Sequence, residues 1–530
     1  MSLDEIIENM SIEEKVGQMF QVGFQGKSPN QKIKDLIKNH YIGGVIFFSR
    51  NLENPSQTAQ LSNDLQSISL ENNNSFPLFI SIDQEGGIVT RLKGGSTHFP
   101  GNMLLGATNS GEIVAEVAKA TANELKNLGI NMNLAPVVDV NNNPDNPVIG
   151  VRSFGEDPKL VAKLSSIYIK KLEENGVIAC AKHFPGHGDT DIDSHLNLPV
   201  IKHNRKRLDE VELLPFKEAI EVGVDSIMSA HVYFPAIEND VGVPATLSRK
   251  VLTSLLREEL GYKGVIVTDC MEMNAIADSY GSVEGAVQAI SAGSDIILIS
   301  HSYERQKRAI KAAVEAVKAN RIQEQRINQS VKRILELKEK RISLSDYKKA
   351  DLKKINFAEN KKTAEKAAQL GITVVKGKDT IAELANSVDQ KKIGILDFEM
   401  GRVTLVENNA THDNLFLNYL IKEINDIKHI TLNKDDKLSN EKENSLAEND
   451  VIIVCTYNGV KNKRQLEIAD KLAEDNKVII LALRNPYDYK FLKNIAAFVT
   501  TYDYSPANQK AAADLFLGKI KAKGKLPISI

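Results

Sequence analysis

Residues 181 to 195 read AKHFPGHGDTDIDSH, gathering three of the chain's ten histidines with three aspartates and a lysine. Three chemistries are open to such a cluster. His183, His187 and His195 with the nearby aspartates have the right types for a metal, but the run lacks the helical H-x-x-x-H register of the H-E-x-x-H sites and no cysteine joins it. The D-T-D-I-D alternation approaches a D-x-D-x-E pattern, found where a substrate's own acetamido group is the nucleophile. Here a serine follows Asp193, the glutamate is missing, and the segment reads as a loop. As a pair, Asp193 fixes the tautomer of His195 and raises its basicity, and the other ring nitrogen is then a general acid and base. The plainer reading leaves His195 a solvated loop residue.

A proton-transfer group needs a nucleophile to serve. Asp269 closes the run GVIVTD, where a carboxylate on a rigid strand can be aimed at an anomeric carbon. The competing role is a structural aspartate bonded to backbone amides. Cys270 is a rival nucleophile, but it has no evident base, and strand alternation turns it away from Asp269 into the wall.

Eight short β-branched runs must position these groups, and helical patterns separate them: 18–24, 43–49, 77–83, 131–139, 177–184, 226–232, 264–269 and 295–300. That alternation predicts an α/β chain opening with a parallel (β/α)8 barrel of the TIM type. Asp83, Asp139, Lys182 with His183, His231 and Asp269 fall at the ends of five runs, and His301 follows the last. The carboxyl-terminal rim of such a barrel is its active-site face, so these residues form the expected site. Each could instead mark only where a strand surfaces. The Asn-rich stretch 141–147 leaves the fourth strand on the same side and is expected to wall a pocket.

The barrel is expected over 1–342, a lysine-rich linker over 343–368, and a three-layer α/β/α sandwich over 369–530. The last region carries no G-x-G-x-x-G or G-x-x-x-x-G-K-[ST], hence no nucleotide site is expected there. With 67 basic against 69 acidic residues, there is no field to draw nucleic acid or an anionic membrane. Cys180, Cys270 and Cys455 are too scattered for a disulfide framework. No run of 18 apolar residues exists and the start is acidic and amphipathic, which predicts a soluble cytoplasmic protein with no membrane insertion.

KHFPGHGDTDIDSH resembles the signature loop of the bacterial β-N-acetylglucosaminidases of glycoside hydrolase family 3. DQEGGIVTR (83–91), NLAPVVDV (133–140), VIGVRSFGEDP (148–158), SAHVYFPAIE (229–238) and GVIVTDCMEM (264–273) follow in the family's order. The resemblance implies that Asp269 is the nucleophile, His195 the acid and base, and Asp193 its orienting partner. It also implies that Asp83, Arg91, Arg152, Lys182 and His183 hold the sugar hydroxyls. A retaining removal of terminal N-acetylglucosamine from muropeptides or related glycans follows, with no metal or other cofactor. Since an imidazole is neutral after giving up its proton, phosphate could replace water as acceptor, so a phosphorylase is the alternative. A non-catalytic sugar-binding module is the second alternative. Where the family usually reads E-G-G-R, this chain has Ile88 after Gly87, which bears on specificity or loop packing. The chain has no tryptophan, which favours a pocket for one terminal residue over a long aromatic-lined groove.

Overall fold

The structure is a computed structural model. It describes the whole chain except residues 1, 72–75, 192, 194–197, 344–348, 400–406, 408–413 and 434–435. All eight expected barrel strands are present: β1 (Phe20–Val22), β2 (Gly44–Phe47), β3 (Phe79–Ile82), β4 (Met132–Asn133), β5 (Ile178–Phe184), β6 (Ser226–Ser229), β7 (Val265–Thr268) and β8 (Ile297–Ile299). They pair in parallel in the order β7-β6-β5-β4-β3-β2-β1-β8, and a bridge between Val267 and Ile296 joins the two ends. The strands read as continuous apolar runs because helices cover the outside while packed side chains fill the inside.

Local signals set the helices that face these strands. Asn30 accepts from the Ile33 amide to start Gln31–His40, and Ser110 accepts from Ile113 to start Gly111–Asn127. Asp157 caps Pro158–Glu174, with Pro158 in the first turn, where its missing N–H costs nothing. Helices Tyr303–Lys318 and Glu324–Arg341 follow the last strand. Among the described residues no helix is long and apolar enough to cross a membrane.

The second sheet comprises β9 (Thr373–Lys376), β10 (Ile393–Phe398), β11 (Ile427–Leu432), β12 (Val451–Thr456), β13 (Val478–Ala482) and β14 (Ala497–Thr500). Its order is β11-β10-β12-β13-β14-β9, parallel except for β9 at one edge. The chain steps outward from β10 to β11 and then back to β12, so the strand order reverses between β10 and β12, the kind of position at whose carboxyl ends such sheets bind ligands.

The two sheets share one contiguous apolar core that runs from barrel residues such as Met103 and Leu104 through Ala367 and Ala368 to Ile395 and Leu515. Leu396, Ile452, Val454 and Ile480 form a separate cluster on the other face of the second sheet. Helix Phe357–Gly371 packs against Asn102–Thr108 and Gly111–Asn127 on one side and Pro506–Phe516 on the other. The carboxyl-terminal segment returns to the barrel, where the Lys525 amide donates to Ala107 and the Glu156 amide donates to Pro527. A shared core of this kind holds the sandwich in a fixed place above the barrel mouth.

Candidate active site

A cavity of about 940 Å³ opens at the carboxyl ends of the barrel strands. Asp83, Arg91, Arg152, Lys182, His183 and Asp269 all line it, although they come from four separate strands or the loops that follow them. Tyr504 and Glu407 reach the same cavity from the sandwich. The carboxyl ends of both sheets therefore face one space.

On the β3 to β5 side, charges are buried and matched. Lys182, only 2% exposed, places Nζ 2.9 Å from Asp83 and 2.7 Å from Glu85. Arg152 forks onto Glu85 through Nε at 2.9 Å and Nη2 at 2.8 Å, and Arg91 lies 4.0 Å from Asp83. Burial opposes the charge on Glu85, yet Arg152 and Lys182 overcome it and hold the carboxyl well below the usual range. For Lys182, burial is likewise outweighed by Asp83 and Glu85, which keep the ammonium charged above its ordinary range. The outcome is a preorganised set of donors and acceptors with Asp83 partly open to the cavity, suited to adjacent sugar hydroxyls.

His183 is set by Asp139, whose Oδ2 lies 2.7 Å from Nδ1 while Oδ1 accepts from the His183 and His187 amides. A carboxylate on Nδ1 makes that nitrogen the donor and leaves Nε2 for another partner. Burial disfavours charge on Asp139, but the two histidines and the backbone amides hold its carboxyl below the usual range. His187 is pushed down to about 4 by burial and by His183, and its Nδ1 lies 2.8 Å from Thr190 Oγ1. Asn146, from the Asn-rich stretch, donates to the carbonyls of His187 and Gly188 and so ties down the start of the loop. Val148, just after it, walls the cavity.

Asp269 follows β7 and is half-buried, with its amide on Ser229 O at 3.3 Å and Oδ1 accepting from the Cys270 amide at 2.7 Å. Cys270 stands beside it in the cavity wall, and burial pushes its thiol up to about 11, which removes the thiolate a nucleophile needs. Asp193 is half-buried, whereas His195 lies outside the described residues. Among the described residues, two groups bring metal-ligand types within 4.8 Å of one another: Cys270 with Glu272 and His301, and Asp189 with His203 and Glu212. Neither includes His183 or His187, whose Nδ1 atoms face Asp139 and Thr190.

Two rim residues act from behind the cavity. Asp139 is fully buried beneath His183, and His231 spans Thr246 Oγ1 at 2.9 Å and Cys270 O at 3.0 Å, bracing the strand end that carries Asp269. Glu85, Arg50, Glu272 and Tyr504 are site residues that periodicity could not single out, because their positions arise from loops that meet only in the fold. Gly86 and Gly87 have φ of 88° and 56°, and a Cβ on Gly87 would come within 2.8 Å of Gly101, so the loop requires glycine there. Ile88 is 3% exposed and borders a small void with Asp503, where β3's loop meets the sandwich. The departure from E-G-G-R thus falls on domain packing and not on the cavity.

The description "Glycosyl hydrolase family 3 N terminal domain" matches residues 11–337. Over 94% of its length the chain is 32% identical to Beta-hexosaminidase A of Pseudoalteromonas piscicida, covering 91% of that protein. It is 34% identical to a Beta-hexosaminidase of Nitrosomonas eutropha, over 57% of this chain and 87% of the relative. The solved family 3 β-N-acetylglucosaminidase of Paenibacillus sp. strain FPU-7 superposes with a TM-score of 0.90 at 40% identity, covering 98% of this chain and 99% of that one. Because the matched span holds every barrel strand whose end lines the cavity, the chain belongs to glycosyl hydrolase family 3 and the protein is a glycoside hydrolase.

Proposed function

We propose that the protein is a retaining exo-β-N-acetylglucosaminidase that removes terminal N-acetylglucosamine from cell-wall-derived muropeptides or related glycans. The observation that carries this reading is a single cavity lined both by Asp269, just past the end of β7, and by Asp83, Lys182 and Arg152, whose charges Glu85 helps to match. The names of the relatives, two hexosaminidases and an acetylglucosaminidase, support the choice of sugar.

In this reading the glycone's hydroxyls bind Asp83, Arg91, Arg152, Lys182 and His183, which brings the anomeric carbon over Asp269. The Asp269 carboxylate attacks that carbon while His195, oriented by Asp193, gives its proton to the leaving oxygen. A covalent glycosyl-enzyme forms. His195 then takes a proton from water, the hydroxide attacks the anomeric carbon, and Asp269 departs as a carboxylate. Two displacements at one carbon return the β-anomer.

Hydrolysis of 4-nitrophenyl N-acetyl-β-D-glucosaminide, followed by NMR of the newly formed sugar, tests the proposal. The β-anomer should appear first, and Asp269→Ala should lose at least a thousandfold in kcat while Cys270→Ser stays active. First appearance of the α-anomer, or turnover by Asp269→Ala, rejects it.

A further inference from the structure

The loop that leaves β5 carries a second set of capable side chains, and it takes no part in the cavity. Asp189 Oδ2 meets His203 Nε2, and these two groups and the Glu212 carboxylate have ligand atoms that all lie within 4.8 Å of one another. His203 precedes the short helix Arg205–Glu210 and Glu212 follows it. The loop runs close against Glu212: Gly186 has φ of 140°, and a Cβ there would come within 2.9 Å of Glu212 Cβ. None of the three is among the residues that line the cavity.

Glu212 is the member that asks for a ligand. Its side chain is 3% exposed, yet Oε2 has no hydrogen-bond partner among the described residues, and Oε1 accepts from Arg207 Nη2 at a long 3.3 Å. Burial pushes its carboxyl up, and Arg207 restores only part of what burial takes away. A buried carboxylate oxygen without a partner is costly, and native structures seldom leave one so. A water supplies a donor but no charge, and two carboxylates beside one guanidinium leave negative charge in excess.

The donor set is one imidazole nitrogen and two carboxylates. Imidazole suits zinc and its transition-metal neighbours, whereas calcium and magnesium prefer oxygen alone. Three protein ligands leave a fourth position for water, as in an open zinc site, and ligand bonds of about 2.0–2.2 Å put tetrahedral neighbours roughly 3.4 Å apart, a spacing that side-chain rotation can reach here. The His203 and Asp189 side chains are 40% and 20% exposed, which gives an ion its way in from solvent. The other set of ligand types, Cys270, Glu272 and His301, lacks such an opening for charge, because Glu272 already accepts from the His301 and Ser302 amides at 2.6 and 3.1 Å and pairs with Arg305 at 3.5 Å.

We propose that Asp189, His203 and Glu212 form a site for a divalent transition metal of the zinc class, which ties the loop leaving β5 to the two ends of helix Arg205–Glu210. The ion has no role in bond cleavage. Asn146 already holds the carbonyls of His187 and Gly188, so a metal on Asp189 fastens the same stretch of loop from a second direction. The site stands on its own geometry and does not depend on which sugar the cavity takes.

The test titrates the untagged, metal-stripped full chain with Zn2+ in competition with a chromophoric chelator. His203→Gln and Glu212→Gln should each weaken binding by at least about tenfold to a hundredfold, since loss of even a supporting partner of a metal ligand costs that much. Cys270→Ser should leave the affinity unchanged, and Co2+ in place of Zn2+ should show visible ligand-field bands without a thiolate charge-transfer band. Zn2+ at about a hundredfold excess over its Kd should raise Tm by about 2 °C, a shift that His203→Gln should abolish. His203 is partly exposed, so that variant keeps the test meaningful if Glu212→Gln fails to fold. Mg2+ or Ca2+ binding as tightly as Zn2+ overturns the metal class. Absence of Zn2+ binding, affinity unmoved by His203→Gln, or a thiolate band lost in Cys270→Ser overturns the site. Cleavage of the aryl N-acetylglucosaminide by the same metal-stripped protein checks the glycosidase reading separately.

Discussion

Asp139 grips His183 twice, with Oδ2 at 2.7 Å from the ring Nδ1 and Oδ1 at 3.1 Å from the backbone amide. One buried carboxylate thereby sets both the tautomer of the imidazole and the path of the chain that carries it. Asp139→Asn keeps the shape but gives up the charge that makes Nδ1 the donor. Its kcat/KM on the aryl N-acetylglucosaminide should fall by about ten- to a hundredfold, chiefly through KM if His183 binds a hydroxyl. Steady-state kinetics with far-UV circular dichroism as a folding control checks this.

Glu85 carries two buried cations at once. Glu85→Gln leaves Arg152 and Lys182 without a full counter-charge in a site almost closed to water, which should cost about 3–5 kcal/mol. Because its folded carboxyl is held below its unfolded value, the stabilisation is complete above about pH 5 and is lost as pH falls. The gap between wild type and variant in urea denaturation should therefore be widest near neutrality and narrow below about pH 4.

Lys338 lies at the opposite end of the barrel, fully buried, with Nζ on Gln18 Oε1 at 2.7 Å and 5.1 Å from the centre of the Phe79 ring. Burial pushes its ammonium down to about 7, against roughly 10.4 in an unfolded chain. Between those values the unfolded state binds a proton that the native state does not, so this group adds stability as pH rises. Lys338→Met should raise Tm by several degrees at pH 6 and by less at pH 9, as scanning calorimetry would report. An advantage that grows with pH would contradict it.

Tyr504 brings the sandwich to the cavity, its half-buried ring edge-on to Tyr457 at 5.5 Å and to His98 at 6.4 Å. Removing an aromatic contact of this size should weaken binding by about threefold to tenfold. Tyr504→Ala is expected to raise KM by that factor with a smaller change in kcat. An unchanged KM would mean that the sandwich wall does not touch the substrate.

Much of this arrangement was legible along the chain. All eight barrel strands coincide with apolar runs bounded by turn residues, because a parallel strand covered on both faces tolerates little else. Asp83, Lys182, His183 and Asp269 were legible as rim residues because a polar group at the end of such a run has only the barrel mouth to occupy. Helix Phe357–Gly371, in a segment read as a linker, was hidden by its lysines, which face outward while Ala364, Ala367 and Ala368 pack inside.

The order of residues by itself determined which strands form and which of their ends bear chemistry, since periodicity and strand-end polarity are local properties. Only the tertiary structure decided that Glu85 neutralises Arg152 and Lys182, that Asp139 and His231 stand behind the cavity, and that Tyr504 reaches across from the other sheet. Those relations join residues tens to hundreds of positions apart, and the energy of a buried charge depends on what lies within a few ångströms of it, which no local pattern encodes.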